Sequence, residues 1–288
     1  MKKEVSKNQL SSKAPEFIPT QSGGVWGKIA IIGGGNLGSA IAEGLLKSKF
    51  CKAADITVTK RNTATLKNLE AKGIRTGSDN AAAVKQSELV ILAVKPYQVS
   101  EVLNSFKTAL TPNHILVSVV TGVLIKDIED IIKKKLPVFR AMPNTAIAIQ
   151  ESMTCISVTN ATEKQTAYVK DLFAVLGKVT VINENLMDAA TVLGACGTAY
   201  AMRYIRANIQ GGIEIGFDAV TANLIAAQTV KGAADLLLQK GTHPEQEIDK
   251  VTTPKGCTIA GLNEMEHRGF SSSLIKGIST SYNKIVKG

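Results

Sequence analysis

Short apolar runs alternate with longer mixed segments along the first half of the chain. The apolar runs predict β-strands, and they cover residues 28–32, 55–59, 89–94, 115–120 and 137–142. The mixed segments predict helices, and they cover residues 39–47, 63–72, 96–110 and 124–134. A continuous apolar run such as residues 89–94 is typical of a strand that is covered on both faces of a parallel sheet. The alternation therefore predicts an α/β fold with a doubly wound sheet.

The pattern changes after residue 183. Residues 154–182 still alternate, and Thr162 with Gln165 predicts a capping box for a helix that Gly177 ends. From Asn183 onward the sequence predicts only helices. The first carries isoleucines four positions apart at Ile205, Ile209 and Ile213, and interior glycines at Gly211, Gly212 and Gly216. Because interior glycine costs about 1 kcal/mol relative to alanine, we expect close helix–helix contact there.

These helices carry Ala, Leu and Ile on more than one face, more apolar surface than a short helical segment can bury within itself. We therefore expect an all-helical dimerisation domain that packs against another subunit. The predicted division is a disordered tail at residues 1–26, a Rossmann-type dinucleotide-binding domain at residues 27–183 and the helical dimerisation and substrate domain at residues 184–288.

Composition excludes several classes of protein. The net charge is +10, but the basic residues are scattered and aromatic residues make up only 5%, which argues against a nucleic-acid partner. No apolar run approaches the roughly 20 residues that span a bilayer. Cys51, Cys155, Cys196 and Cys257 lie far apart without a C-x-x-C pair, so we expect no disulfide, no metal site and a cytoplasmic protein.

The first predicted strand runs directly into a glycine-rich turn. Gly33, Gly35 and Gly38 satisfy the pattern G-x-G-x-x-G between a strand and a helix, the context in which it indicates dinucleotide binding. The first glycine makes the turn, the second lets the backbone approach a pyrophosphate, and the third permits close packing of helix and strand. The free N–H groups at the helix start then face the anion.

The second predicted strand indicates which dinucleotide is bound. An NAD site usually carries an acidic residue at the end of this strand, whereas this chain has Lys60, Arg61 and Asn62 there. Two cations suit a ribose phosphate, so the sequence favours NADP(H), with NAD(H) as the weaker ligand. The alternative is that both cations are solvated loop residues.

Two further loops follow predicted strands. Lys95 and Pro96 lie in one, and Asn144 lies in the other, where its amide could pair with the nicotinamide carboxamide. Proline and asparagine are also common in turns for purely local reasons, which is the alternative for both loops.

These motifs, in this order, resemble the pyrroline-5-carboxylate reductase family, the last enzymes of proline synthesis. The resemblance covers residue 28 to the C-terminus and rests on the segments GGGNLGSAIAEGLL, LAVKP, RAMPNTA, TAYA, AAQTVKGAADLL, THPEQEIDKVTTPKGCTIAGL and EHRGF. It implies NADPH-dependent reduction of 1-pyrroline-5-carboxylate to L-proline. It also implies a Rossmann domain followed by a helical domain that forms a homodimer or an oligomer of dimers.

The resemblance assigns residues to both ligands. Those implied to bind the cofactor are Gly33, Gly35, Asn36, Leu37, Gly38, Lys60, Arg61, Asn62, Ala93, Lys95, Pro96 and Asn144. Those implied to bind the substrate are Thr253, Pro254, Lys255, Gly256, Cys257 and Thr258. Backbone N–H groups of this loop would hold the substrate carboxylate, and Thr258 would place its hydroxyl near the imine nitrogen as the catalytic residue. His114, His243 and His267 are expected in turn, cap or surface roles.

Two segments depart from the family pattern. Thr198 stands in a run that usually reads Ser-Gly-Pro-Ala-Tyr, and Lys255 stands where Ser-Pro-Gly-Gly is usual. These departures leave two alternatives open. One is an imine or keto reductase with a shifted substrate, and the other is a non-catalytic regulator that binds the dinucleotide.

Overall fold

The computed structural model of the protein describes residues 27–287. The tail predicted at residues 1–26 lies outside these described residues. Within the described range, no helix combines the length and the apolar character needed to cross a membrane.

The first part of the chain forms one eight-stranded sheet in the order β3-β2-β1-β4-β5-β6-β7-β8. The strands are β1 (Ile29–Ile32), β2 (Ile56–Thr59), β3 (Arg75–Gly77), β4 (Leu89–Leu92), β5 (Ile115–Ser118), β6 (Val138–Met142), β7 (Ser152–Thr159) and β8 (Gly177–Val181). Neighbouring strands are parallel except for the antiparallel pair β6–β7. The sheet order reverses between β1 and β4, which is the arrangement of a doubly wound fold.

The helices alternate with the strands and then continue alone. They are α1 (Asn36–Lys47), α2 (Lys67–Glu70), α3 (Asn80–Lys85), α4 (Val99–Phe106), α5 (Ile125–Ile132), α6 (Glu163–Ala174), α7 (Met187–Ala190), α8 (Gly197–Glu214), α9 (Ala219–Lys240), α10 (Pro244–Lys250), α11 (Cys257–His267) and α12 (Phe270–Lys287). Short 3-10 turns cover Ala53–Asp55, Thr63–Leu66, Pro96–Gln98, Thr145–Ile149 and Glu184–Leu186, and a π-helical turn covers Thr191–Cys196.

Alternate residues of each central strand enter two separate apolar layers, one on each face of the sheet. In β1, Ile29 and Ile31 pack with buried residues of α1 and α6, whereas Ala30 and Ile32 pack with those of α3, α4 and α5. Both faces of the strand are buried because helices cover both, as the continuous apolar runs predicted. The predicted Rossmann-type fold is therefore confirmed.

The structure differs from the expectation at β3, α2 and β7. The strand β3 is a short, partly exposed edge strand without an apolar run, so it gave no hydrophobic signal. The helix predicted at residues 63–72 is a 3-10 turn followed by one turn of α2. β7 pairs antiparallel with β6 because the connection at residues 143–151 is shorter than the roughly dozen residues of a parallel crossover.

Beyond β8 the described residues contain no strand, as predicted. By its internal contacts the chain divides into two compact units, residues 27–200 with 275–287 and residues 201–274, and the division after residue 200 falls inside α8. In the second unit a methyl group on Gly212 would lie 3.2 Å from the Ala222 Cβ, which confirms the close approach of two helices expected at that glycine. A methyl group on Gly211 would meet no atom of the described residues within 4 Å, so the chain does not show the expected contact there. Gly216, expected inside the helix, instead follows its end with φ +114°.

The unit of residues 201–274 leaves many large apolar side chains exposed. Of its hydrophobic residues only Ile209, Ala222 and Ala226 are buried. The strongly exposed ones include Met202, Ile215, Val220, Leu224, Leu238 and Val251. Exposed apolar area on this scale is the signature of an interaction surface.

Candidate functional site

A cavity of about 770 Å³ lies at the carboxyl ends of β1, β2, β4 and β5. It is located where the strand order reverses, the position at which open α/β sheets bind their ligands. The sequence-predicted residues that line it are Gly33, Gly35, Asn36, Leu37, Lys60, Arg61, Asn62, Ala93, Lys95 and Pro96.

The glycines of the turn after β1 are required for three different reasons. Gly33 has φ +113°, and a Cβ there would lie 2.3 Å from the Ala93 carbonyl oxygen. A Cβ on Gly38 would lie 2.1 Å from the Gly33 carbonyl oxygen, so Gly38 permits the helix to pack on the turn without itself lining the cavity. A Cβ on Gly35 would meet no atom within 4 Å, and Gly35 lines the cavity. That open space is the room a pyrophosphate needs.

The start of α1 is built to receive an anion. Gly35 is its N-cap, no side chain caps the helix, and its first turn contains no acidic residue. The N–H groups of Gly33 and Gly34 donate to the Thr59 carbonyl oxygen at 3.0 and 2.8 Å, which fixes the loop on β2. The uncapped N–H groups and the helix dipole together favour negative charge. The residues therefore fit a dinucleotide pyrophosphate.

Replacing Gly35 or Gly38 by alanine is expected to separate binding from folding. At Gly35 φ is −83°, which alanine adopts without strain, so G35A should unfold within about 2 °C of the parent while its dinucleotide affinity falls roughly tenfold, or about 1.4 kcal/mol. G38A should lose both stability and dinucleotide affinity, because its Cβ would clash with the backbone carbonyl oxygen of Gly33. Thermal unfolding and calorimetric titration check the pair, and unchanged affinity in G35A would contradict the assignment of the cradle.

The loop after β2 places both predicted cations at the cavity. The Arg61 Nη2 lies 2.7 Å from Oε1 of Glu101, and the two side chains are 71% and 70% exposed. Lys60 makes no ion pair within residues 27–287 and is anchored by its N–H, which donates to the Gly77 carbonyl at 2.9 Å. The Asn62 side chain accepts from the Ala64 N–H at 3.1 Å and so caps the following 3-10 turn.

Sequence reasoning missed several polar groups of this cavity. The Thr59 hydroxyl donates to the Asn80 Oδ1 at 2.7 Å, and the Asn80 Nδ2 donates to the Ser105 hydroxyl at 3.1 Å. All three residues line the cavity together with Glu101. They come from β2, α3 and α4, so only the sheet topology brings them together.

The loop after β4 forms another wall. The Ala93 N–H donates to the Ile32 carbonyl at 2.8 Å, and the Lys95 N–H donates to the Gln98 Oε1 at 3.2 Å. Pro96 opens the 3-10 turn that leads into α4. The structure thus places this loop at the cavity beside the glycine turn.

Asn144 does not line the cavity. Its Oδ1 accepts from the Ala146 N–H at 3.0 Å, and its Nδ2 donates to the Gly194 carbonyl at 3.1 Å in the π-helical turn. Its own N–H donates to the Ser152 hydroxyl at 3.0 Å. Asn144 thus joins the end of β6 to the π-helical turn, and its contact with a nicotinamide stays a prediction.

A buried cation lies on β6, the strand next to β5. Arg140 of β6 is fully buried, with Nη2 3.1 Å from the Asp188 Oδ1 and Nη1 3.6 Å from the Glu184 Oε1. Glu184 also accepts from the Ile125 N–H at 2.7 Å. Within the described residues, the Arg140 Nε and Nη1 have no hydrogen-bond partner. The guanidinium therefore depends on its two carboxylates for compensation.

The predicted substrate loop lies in the unit of residues 201–274. The Gly256 N–H donates to the Thr253 carbonyl at 3.0 Å, which closes a tight turn before α11. Gly256 is the N-cap of α11, which has no side-chain cap and no acidic residue in its first turn. Cys257 and Thr258 are its first residues, and Pro254 is exposed beside them. The local form is that of an anion-binding helix start.

Lys255 adopts a backbone conformation that favours glycine. Its φ is +61°, in the left-handed region, which costs a non-glycine residue roughly 1–2 kcal/mol. The resemblance had identified this position as one where glycine is usual. The departure therefore keeps the shape of the turn and adds an exposed side chain to it.

The three histidines have the roles expected for them. His114 is buried in a turn, where Nδ1 accepts from the Thr111 N–H at 2.9 Å. His243 is the N-cap of α10, and His267 is exposed at the end of α11. None of the three lines the cavity.

The cysteines are all free thiols, and among residues 27–287 no group of three or more His, Cys, Asp or Glu side chains could hold a metal ion. Burial, with a smaller contribution from Asp55, raises the pKa of the Cys51 thiol to about 11. Burial also raises the pKa of Cys155. Both thiols are therefore protonated and unreactive near neutral pH.

Comparison with known proteins relates both parts of the chain to reductases. A family model described as pyrroline-5-carboxylate reductase dimerisation matches residues 184–287. A model described as NADP oxidoreductase, coenzyme F420-dependent, matches residues 28–122.

Individual relatives match over nearly the whole chain. Pyrroline-5-carboxylate reductase 2 of Dictyostelium discoideum is 43% identical over 275 residues, covering 90% of this chain and 92% of that protein. Pyrroline-5-carboxylate reductase 1 of the same organism is 49% identical over 268 residues, covering 89% of this chain, but this chain spans only 49% of that protein's length. The crystal structure of Plasmodium falciparum pyrroline carboxylate reductase with NADP bound is 25% identical, with a TM-score of 0.79 over 90% of this chain and 97% of that one.

Proposed function

The chain belongs to the pyrroline-5-carboxylate reductase family, and from that premise we propose that it reduces 1-pyrroline-5-carboxylate to L-proline with NADPH. The observation that carries the proposal is the cavity at the switch point of the sheet, which combines a glycine cradle, an uncapped helix start and the two cations that follow β2. A relative of the same family has a structure with NADP bound, which supports the choice of cofactor.

The residues that line the cavity would hold NADP(H) in two parts. Backbone N–H groups at the start of α1 would bind the pyrophosphate, and Lys60 with Arg61 would bind the 2′-phosphate. Bound NADPH supplies the hydride, whereas the protein supplies position and the exclusion of water. NAD(H) lacks the phosphate and would bind more weakly.

The substrate would be held by residues 253–258. The free N–H groups at the start of α11 suit its carboxylate, and the Thr258 hydroxyl would hydrogen-bond the imine nitrogen as hydride arrives. A protonated imine needs alignment more than it needs a strong acid. That requirement is consistent with the turn, cap and surface positions of the three histidines.

Thr258→Ala is expected to reduce kcat/KM for pyrroline-5-carboxylate by about 5- to 150-fold, which corresponds to roughly 1–3 kcal/mol for one hydrogen bond to a charged group. NADPH affinity should stay within about twofold of the parent. T258S, which keeps the hydroxyl, should recover most of the activity. T252A is a matched control, since the Thr252 hydroxyl only donates to the Ile248 carbonyl. Full activity of T258A with collapsed NADPH binding would show that the loop is not the substrate site.

A second candidate is an imine or keto reductase of the same family with a shifted substrate. Lys255 favours it, because its side chain projects from the turn that we assign to the substrate. A panel of cyclic imines and 2-keto acids separates the two functions. The highest kcat/KM with pyrroline-5-carboxylate supports our proposal, whereas a preference for another substrate supports the second candidate.

We infer that the working form is a homodimer or an oligomer of dimers. Residues 184–287 match a dimerisation model, and the unit of residues 201–274 exposes many large apolar side chains. A second copy of the chain would cover them. We further propose a cytoplasmic location and no nucleic-acid partner, consistent with the free cysteines and the low aromatic content.

A further inference from the structure

Glu101 is the one acidic residue among the described residues that line the cofactor cavity. The cations of that lining are Lys60, Arg61 and Lys95. A cavity suited to a dinucleotide bearing several phosphates gains nothing from a carboxylate, unless the carboxylate has a task of its own. Its position on α4 places the carboxylate beside Arg61, which indicates that task.

The Glu101 carboxylate already binds the Arg61 guanidinium, the group to which a 2′-phosphate would bind. Its Oε1 accepts from the Arg61 Nη2 at 2.7 Å, a short charge-assisted hydrogen bond. Both side chains are about 70% exposed, so the pair is weak and exchanges readily with another anion. Among the described residues no other ion pair of Arg61 competes with it.

We propose that Glu101 determines how strongly the site prefers NADPH over NADH, by competing with the 2′-phosphate for Arg61. This inference rests on the proposed use of NADP(H). A phosphate that reaches Arg61 must displace the carboxylate or share the guanidinium with it, and it feels the carboxylate's charge in either case. A ribose 2′-hydroxyl instead can donate to the same carboxylate. Glu101 thus lowers the affinity for the phosphorylated dinucleotide and favours the unphosphorylated one.

The opposite role makes the opposite prediction. If Glu101 held Arg61 in the orientation that binds phosphate, removal of its charge would weaken phosphate binding. The sign of the change therefore decides between competition and positioning.

The test measures binding of adenosine 2′,5′-bisphosphate and adenosine 5′-monophosphate to the full chain by calorimetry, without turnover. The ratio of the affinity for the bisphosphate to the affinity for the monophosphate measures the contribution of the 2′-phosphate. In E101Q, which keeps the shape and removes the charge, we expect this ratio to rise at least twofold. The rise should shrink at about 0.5 M salt, because exposed charges are screened. E163Q removes an exposed carboxylate at the start of α6, outside the cavity, and should leave the ratio unchanged.

A ratio that falls, or that changes by less than twofold in E101Q, overturns the inference. Measuring NADPH turnover by the parent protein distinguishes that result from failure of the proposed function. If the parent reduces pyrroline-5-carboxylate with NADPH but E101Q behaves like E163Q, only the role of Glu101 is wrong. If the parent binds neither nucleotide, the proposed cofactor site itself is wrong.

Discussion

Replacing Lys60 and Arg61 together by alanine is expected to weaken NADPH binding by about 30- to 150-fold, or roughly 2–3 kcal/mol. NADH binding should weaken by less than about threefold, because only NADPH carries the 2′-phosphate on which these cations act. Both side chains line the cavity, and the only ion pair that either makes among the described residues is the exposed contact between Arg61 and Glu101. Titration of each cofactor against the apoprotein measures the two losses.

A variant with the same change in net charge controls for long-range electrostatics. Lys72 and Lys126 are surface residues that pair with Glu43 and Asp130 outside the cavity. The double variant K72A/K126A should change neither affinity by more than about twofold. Equal losses of affinity for NADPH and NADH in the K60A/R61A variant would contradict the assignment of these residues to the ribose phosphate.

Arg140→Ala is expected to lower the free energy of unfolding by about 3–5 kcal/mol. The substitution leaves Glu184 and Asp188 without their cation and opens space in a core where Arg140 is fully buried. The Glu184 carboxylate also accepts from the first N–H of α5, so the loss reaches the start of that helix. Denaturant unfolding at one fixed protein concentration measures the change, since self-association adds to apparent stability.

The matched control removes an exposed arginine of the same sheet. Arg75 lies on the edge strand β3 and is exposed, so R75A should cost less than about 0.5 kcal/mol. R140M keeps much of the buried volume and should cost less than R140A, because the two carboxylates are partly exposed. Stability of R140A equal to that of R75A would show that the buried ion pairs contribute nothing.

The sequence alone predicted the parts of the site that are contiguous along the chain. The glycine turn and the Lys60–Arg61 pair follow directly from strands with clear apolar runs, so their position at the sheet edge could be inferred. Glu101 could not be found this way. It meets Arg61 across 40 positions, because only the folded arrangement brings α4 to the loop that follows β2. Long-range pairs of this kind leave no local pattern.

Local chemistry explains the other differences. Asn144 follows a strand, as ligand-binding residues often do, but its side chain is used to cap a turn and to hold the Gly194 carbonyl. Asparagine favours both tasks, and the sequence does not distinguish them. The sequence also could not predict that Arg140 is buried, because the carboxylates that pair with it lie more than 40 positions away in the helical segment after β8.

The most direct measurement of the proposed function follows NADPH absorbance while the full chain acts on pyrroline-5-carboxylate, and quantifies proline in the same samples. We expect NADPH oxidation that requires the imine and yields one proline for each NADPH consumed. The T258A variant should give the same stoichiometry at a lower rate. Saturable NADPH binding with oxidation no faster than in the protein-free control would contradict the account and would support a dinucleotide-binding protein without this activity.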